Sequence, residues 1–388
     1  MGRQASLGAD SELEMTRGIL SGTGRLELNW WHARAMQLTA IAAELADENR
    51  RQWAWNRVRP LHATHARDAR GIEELVPCGC LAELVASYRT GAESFPMQPL
   101  GDDEGPSVPT FSEPVTDAHV HVFPDPVFAA LWRWFEAYGW PIRYQLRTPE
   151  LLAFLFSRGV ERAVALHYAH KPSMSRGLNE YMAAVVARDP RVIGLGTVLP
   201  GEPNAAEIVT GMRQRGLRGV KLHCHVQAFA PDSAAAFEVF AACESAQLPV
   251  VLHAGRAPRS PAYPVDSHSL CAAWRVERVL TAFPKLKLCV PHFGADEALA
   301  YVELLERHDH LYLDSTMMLS GFFGGEYLQV LNRARPERVM YGSDFPNLPY
   351  AWDRELRAIA AAELSAERKA QLTTKVANEF FGLEGLPG

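Results

Sequence analysis

Long apolar runs are missing from this 388-residue chain. No window reaches the ~18 uninterrupted apolar residues of a membrane-spanning helix, so no membrane span is expected. A basic excess is missing as well: 39 Lys and Arg face 45 Asp and Glu, for a formal net charge of −6. That balance gives no footprint for nucleic acid or an anionic lipid surface. Cysteines are few, six in all, and Cys224, Cys243, Cys271 and Cys289 sit within apolar runs. They read as buried reduced thiols rather than a disulfide framework. The first residues, "MGRQASLGADSELEM", have no apolar core of the secretory-leader kind. A cytoplasmic location is therefore expected. A glycine-rich phosphate turn is also missing after the first strand candidate, where "HVFPDP" stands instead. That disfavours a doubly wound dinucleotide-binding sheet.

What is present suits a large globular core: 48 % hydrophobic and 22 % charged residues. Residues 1–92 are expected to form a helical N-terminal region. Apolar residues recur at helical spacing in "LELNWWHARAMQLTAIAAELADENRRQWAWNRV" and in "LAELVASYRT". Residues 93–114, "ESFPMQPLGDDEGPSVPTFSEP", are rich in Pro, Gly and acids and read as a linker or an extended surface segment. Residues 115–388 follow a different pattern. Short apolar runs at 115–122, 161–168, 191–198, 219–226, 249–255, 287–294, 310–316 and 338–345 alternate with amphipathic stretches such as "SAAAFEVFAACESA". The alternation predicts an α/β chain, a (β/α)8 TIM barrel with an additional N-terminal helical region.

The polar residues at the ends of those runs carry the chemistry. "TDAHVHVFPD" places Asp117, His119 and His121 at two-residue spacing. In a strand that spacing turns all three to one face. A half-buried strand showing polar residues to water is the competing reading of this segment alone. However, His223, His225, His253, His292 and Asp344 also close apolar runs, as does His167. Seven of the fourteen histidines thus end strand candidates, where an unpaired imidazole is costly. Barrel sites form at the C-terminal ends of strands, so these groups converge on one mouth. Histidines with a carboxylate suit Zn²⁺, Mn²⁺ or Fe²⁺.

"DAHVH", "KLH", "LHAG", "PHFG" and "GSDFP", in this order on strands one, four, five, six and eight, resemble the amidohydrolase superfamily. They are similar to its amidohydrolase-related branch, which holds aminocarboxymuconate-semialdehyde decarboxylase, resorcylate decarboxylases and several lactonases and hydratases. The resemblance spans roughly residues 115–382 and leaves out the helical first part. It implies that His119, His121, His253 and Asp344 bind one divalent ion, zinc ahead of manganese or iron. His292 is then the general acid/base and Asp344 takes the proton of the attacking water. Lys221 contacts substrate in one-metal members; carboxylated, it bridges a second ion. His223 shares a strand face with Lys221 and is expected to touch substrate.

The function expected is a metal-dependent hydrolase acting on a small lactone, amide or ester. A decarboxylase of an aromatic or unsaturated acid is the alternative, and a catalytically silent barrel serving as a binding module is the second. Trp132, Trp134, Phe135 and Trp140 after the first strand lean toward an aromatic substrate, although helix core explains them equally. Arg256 after "HAG" is a candidate partner for a substrate carboxylate. Asp117 is expected to orient a ligand and Asp314 to hydrogen-bond a neighbouring loop. His225 reads as a solvated residue past the strand end. His62, His65, Cys78 and Cys80 suggest a structural zinc site, but their C-x-C spacing is tighter than usual. The expected partner is a small-molecule substrate, with no nucleic acid and no membrane, in a chain that could form a homodimer.

Overall fold

The computed structural model describes residues 97–255, 263, 270–323 and 327–383. Contacts divide the chain between Ser94 and Phe95, and every described residue belongs to the second part. The helical region expected over 1–92, with His62, His65, Cys78 and Cys80, lies outside the described residues, as does Arg256.

Eight strands appear where the apolar runs stood: β1 (Val115–His121), β2 (Val160–Leu166), β3 (Val192–Gly194), β4 (Val220–His223), β5 (Val250–His253), β6 (Leu288–Val290), β7 (Leu311–Asp314) and β8 (Val339–Met340). All neighbouring pairs are parallel. They form a three-stranded sheet, β1-β2-β3, and a five-stranded sheet, β4 through β8. Two single parallel bridges close the ring, Gly196 with Val220 and Val120 with Phe345. The backbone bonds Lys221 N–H to Gly196 O (2.7 Å) and His121 N–H to Phe345 O (2.7 Å) reinforce these seams. The chain therefore forms a (β/α)8 TIM barrel, with helices such as α1 (Asp125–Tyr138), α2 (Thr148–Ser157) and α3 (Ser175–Val186) between strands. The helix Ala234–Ser245 starts where the Ser233 side chain accepts the Ala236 N–H, the usual cap for an orphan helix donor.

Strand alternation sorts the core into two layers. Val220, Leu222, Val250 and Leu252 face the helices and join the main hydrophobic cluster. Val164, Ile193, Val251, Cys289, Tyr312 and Met340 face inward and pack on Phe380 and Phe381 of the C-terminal helix Val376–Phe381. Each large apolar side chain so buried is worth roughly 1.5–3 kcal/mol. The polar residues begin one pleat further on: Lys221 and His223 lie beside Val251 and His253 in register.

One expectation fails in detail. The alternation drawn for "DAHVH" is broken by a register slip between Asp117 and Val120. Ala118 therefore joins the inward cluster while Val120 packs outward with the helices. A bulge of this kind re-aims the residues after it, here His119 and His121.

Residues 97–114 contain no helix or strand and are held along their length to the barrel. Met97 N–H bonds Gly139 O (2.7 Å), Leu100 N–H bonds Pro349 O (2.9 Å) and Val108 N–H bonds Arg158 O (2.8 Å). The Asp102 carboxylate accepts from Arg354 Nη1 (2.9 Å) and from the Ala351 N–H (3.0 Å). This segment is an anchored strap rather than a free linker.

Candidate metal centre

β1 and β8 build the first group. His121 Nε2 lies 2.9 Å from Asp344 Oδ1, and His119 Nε2 lies 3.3 Å from the same oxygen. One donor atom from each of the three falls within 4.8 Å of the others, and all three residues are buried. Their approach depends on Gly342, the first residue of "GSDFP". A Cβ at Gly342 would sit 2.5 Å from the His119 Cβ and would also meet Thr316 Oγ1. Asp344 itself adopts a left-handed φ of 72° and His292 one of 57°. Positive φ in residues with side chains costs energy and clusters at functional sites.

Asp314, at the end of β7, holds this group in shape. Its Oδ2 accepts the His119 Nδ1–H at 2.9 Å, and its Oδ1 accepts the His292 backbone N–H at 3.0 Å. The first bond fixes the tautomer, leaving the His119 Nε2 lone pair toward Asp344. His292 Nδ1 lies 2.9 Å from Thr316 O, which places the ring proton there and leaves Nε2 open. Asp117 takes a different part from the ion-facing residues. Its Oδ1 accepts the backbone N–H groups of His119 (3.1 Å) and Ser343 (2.9 Å), pinning β1 to the turn after β8.

β4 and β5 build a second group. His223, His225 and His253 are buried, and one nitrogen of each lies within 4.8 Å of the others. The His223 and His253 rings stack at 3.9 Å, 8° from parallel. His225 is thus not the solvated loop residue expected; the helical turn Cys224–Gln227 carries it back into the barrel, 0 % exposed. Of the ligand set His119, His121, His253 and Asp344, three converge and His253 falls into this neighbouring group. Two rings join the groups into one mouth. His292 lies 5.5 Å from His119 and 4.7 Å from His253, while Tyr168 lies 5.9 Å from His121 and 5.0 Å from His223. Tyr168 was missed in the sequence, where its position at the end of "ERAVALHY" was the available signal. Of the four aromatics after β1, Trp134 leads to the histidines, through Tyr263 (5.5 Å), which lies 5.2 Å from His225. Trp132 stacks on Phe128, and Trp140 packs among Phe135, Phe322 and Phe323.

Burial governs the charge states. It lowers His119 to about 3, with Lys221 adding to the effect and Asp314 opposing it. His121 is lowered by the same burial, and His223 and His253 fall well below their ordinary value. Burial alone raises Asp314 and Asp344, but neighbouring histidines outweigh it, His119 taking Asp314 to about 2 and His121 holding Asp344 well below the usual carboxylate range. Neutral imidazoles beside ionised carboxylates are the protonation states that ligate metals. Lys221, fully buried, touches His119 Nε2 at 3.3 Å and is lowered to about 8 by burial, against the pull of Asp314 and Asp344.

A family model described as Amidohydrolase matches residues 116–383, the whole barrel. The chain belongs to the amidohydrolase family. No curated protein matches it. Among solved structures, this amidohydrolase is similar to 5-carboxyvanillate decarboxylase from Sphingomonas paucimobilis, at 20 % identity and TM-score 0.53, over 70 % of this chain and 99 % of that one. The Novosphingobium aromaticivorans 5-carboxyvanillate decarboxylase with bound manganese matches at 17 % identity and TM-score 0.51, over 70 % of this chain and 97 % of that one. A 2,6-dihydroxybenzoate decarboxylase matches at 14 % and 0.51, over 71 % of this chain and 100 % of that one. Likeness at this level bears on the fold. Among the described residues, no helix is long and apolar enough to cross a membrane.

Proposed function

We propose that this amidohydrolase is a metal-dependent hydrolase that turns water on a small carbonyl compound, a lactone, amide or ester. The observation that carries the reading is the convergence of His119, His121 and Asp344 at the strand ends. Two imidazoles and one carboxylate, with positions left open, form the donor set of catalytic Zn²⁺, Mn²⁺ or Fe²⁺ sites. The residues fit such an ion: His119 Nε2 and His121 Nε2 both approach Asp344 Oδ1, and Asp314 turns the His119 lone pair inward. When bound, the ion polarises an oxygen and brings the pKa of its water toward ~7.

The chain's own residues supply the proton traffic. Asp344 is ionised and takes the water's proton on its carboxylate. Asp344 passes that proton to His292 Nε2, left free because Nδ1–H is tied to Thr316 O, and Nε2 delivers it to the leaving group. Lys221 and His223 line the same strand face, where an oxyanion of the substrate meets the Lys221 ammonium.

A carboxy-lyase acting on an aromatic acid is the second reading. It is supported by the Phe123 and Tyr168 rings, each 5.9 Å from His121. The decarboxylases among the similar structures, one with manganese, favour it too. In that reading His292 protonates the ring carbon that loses CO2.

The test begins with metal content per chain, by elemental mass spectrometry on protein purified without chelator. At least one equivalent, lost in Asp344→Asn, is expected. No metal, with none recovered on adding Zn²⁺ or Mn²⁺, sinks both readings. Assays on lactone, ester and hydroxybenzoate panels then separate acid release from CO2 release.

A further inference from the structure

The loop that follows β7 carries the acceptor on which His292 depends. Thr316 O lies 2.9 Å from His292 Nδ1. A carbonyl oxygen only accepts, so the ring proton stays on Nδ1 as long as this oxygen keeps its place. The loop is an uneasy support for that task. Met317 takes a left-handed φ of 65°, which costs energy in a residue with a side chain and persists where its surroundings enforce it. Met318 N–H bonds Ser315 O at 2.8 Å, and Ser315 N–H bonds Met340 O of β8 at 2.9 Å. These bonds secure the start of the turn.

The helix Arg354–Ala361, which follows β8, supplies the rest from its first two residues. Arg354 Nε donates to Ser320 O at 2.7 Å, and Glu355 Oε1 accepts the Ser315 Oγ–H at 2.6 Å. Arg354 is in turn tied to Asp102 of the strap at 2.9 Å. A helix N-terminus favours an acid, which would account for a glutamate at the surface. Glu355 is instead 2 % exposed, and its Oε2 has no hydrogen-bond partner. Burial pushes its carboxyl well above the ordinary value; the Ser315 hydroxyl opposes this, and Asp314 and Asp117 add to it. Burying a carboxyl with one oxygen unsatisfied costs more than a place in the first turn of a helix returns. The hold on Ser315 is what that cost maintains.

We propose that Glu355 is a positioning residue for His292. Its carboxyl holds Ser315, and through Ser315 the Thr316 carbonyl, which keeps the His292 proton on Nδ1 and leaves Nε2 open. The catalytic meaning rests on the reading of His292 as the acid/base; the choice of tautomer does not. The role asks for an acceptor rather than a charge. A neutral carboxyl and an amide both offer a carbonyl oxygen to Ser315, so Glu355→Gln keeps the arrangement. Glu355→Met, similar in length, offers none. Ser315→Ala removes the hydroxyl that transmits the hold while the helix keeps its own sequence.

The experiment reads the tautomer by nitrogen NMR on full-length protein carrying ¹⁵N-histidine, purified with Zn²⁺. The wild type is compared with Glu355→Gln, Glu355→Met and Ser315→Ala, with circular dichroism as the check on folding and His292→Gln to assign the signal. The wild type and Glu355→Gln should show His292 protonated on Nδ1 alone. In Glu355→Met and Ser315→Ala the Nδ1 and Nε2 shifts should move toward each other, as two tautomers average. A general loss of stability without loss of the turn would lower the melting temperature and leave these shifts in place. An unchanged pair of shifts in Ser315→Ala, or in folded Glu355→Met, overturns the proposal. So does averaging in Glu355→Gln, because the acceptor is then not what Glu355 supplies. Should Glu355→Met not fold, Ser315→Ala decides alone. The measurement needs no substrate, so a lack of hydrolase activity, which counts against the proposed reaction, leaves this result to stand by itself.

Discussion

At the residue scale the centre depends on Asp314, one carboxylate serving two histidines. It holds His119 through Nδ1 and His292 through its backbone N–H. Asp314→Asn keeps the shape but presents an amide where an acceptor is needed, so the His119 tautomer is no longer enforced. A loss of about 10–100-fold in metal affinity is expected, read by competition with a chromophoric chelator. Asp314→Ala strands both buried donors and costs about 1–3 kcal/mol per donor in chemical denaturation. Gly342 is the second sensitive position. Gly342→Ala drives a methyl into the His119 Cβ, and a destabilisation of about 1–3 kcal/mol with reduced metal content is expected. An unchanged metal content in folded Gly342→Ala protein would contradict the role given to this close approach. The sequence marked both residues but not their roles: Gly342 read only as part of "GSDFP" and Asp314 as a loop contact, since nothing local reveals that β7 delivers it to His119.

At the element scale, the strap over residues 97–114 is the informative segment. Its composition suggested a tether, and indeed it forms no strand or helix. Its attachment rests on distant partners, Arg354 and the Ala351 N–H on Asp102, and Asp353 on the Gly105 N–H. Burial alone raises the Asp102 carboxyl, but the Arg354 and Ala351 hydrogen bonds outweigh it and lower its pKa from 3.8. A depressed carboxylate adds stability that is complete above its unfolded value and is lost as pH falls through the folded one. For this half-buried group the screened contribution is at most about 1 kcal/mol. The melting temperature of Asp102→Asn should therefore fall below the wild type near neutral pH, and the gap should close below about pH 4. A gap that is constant with pH would mean that the carboxylate's charge is not what fastens the strap.

At the scale of the whole molecule, an ion bound at the barrel mouth ties β1 to β8 across the seam that closes the ring. Binding to the folded state alone stabilises by mass action, about 2.7 kcal/mol when free metal exceeds Kd a hundredfold. Chelation should lower the melting temperature by roughly 5 °C in a domain of this size. Asp344→Asn should melt at the same temperature with or without chelator, and a chelator-sensitive melting temperature in that variant would contradict the role given to Asp344. The sequence by itself determined the barrel, because strand–helix alternation repeats eight times with few ways to satisfy it. It also determined that His119, His121, His253, His292 and Asp344 share one end, because each closes an apolar run. Only the tertiary structure decided the partnerships. The slip in β1, the left-handed turns at His292 and Asp344, and the helical turn that brings His225 inward are visible only in the folded chain. Folding divides the histidines into two groups, and residue spacing along one chain carries no record of distances across a closed ring.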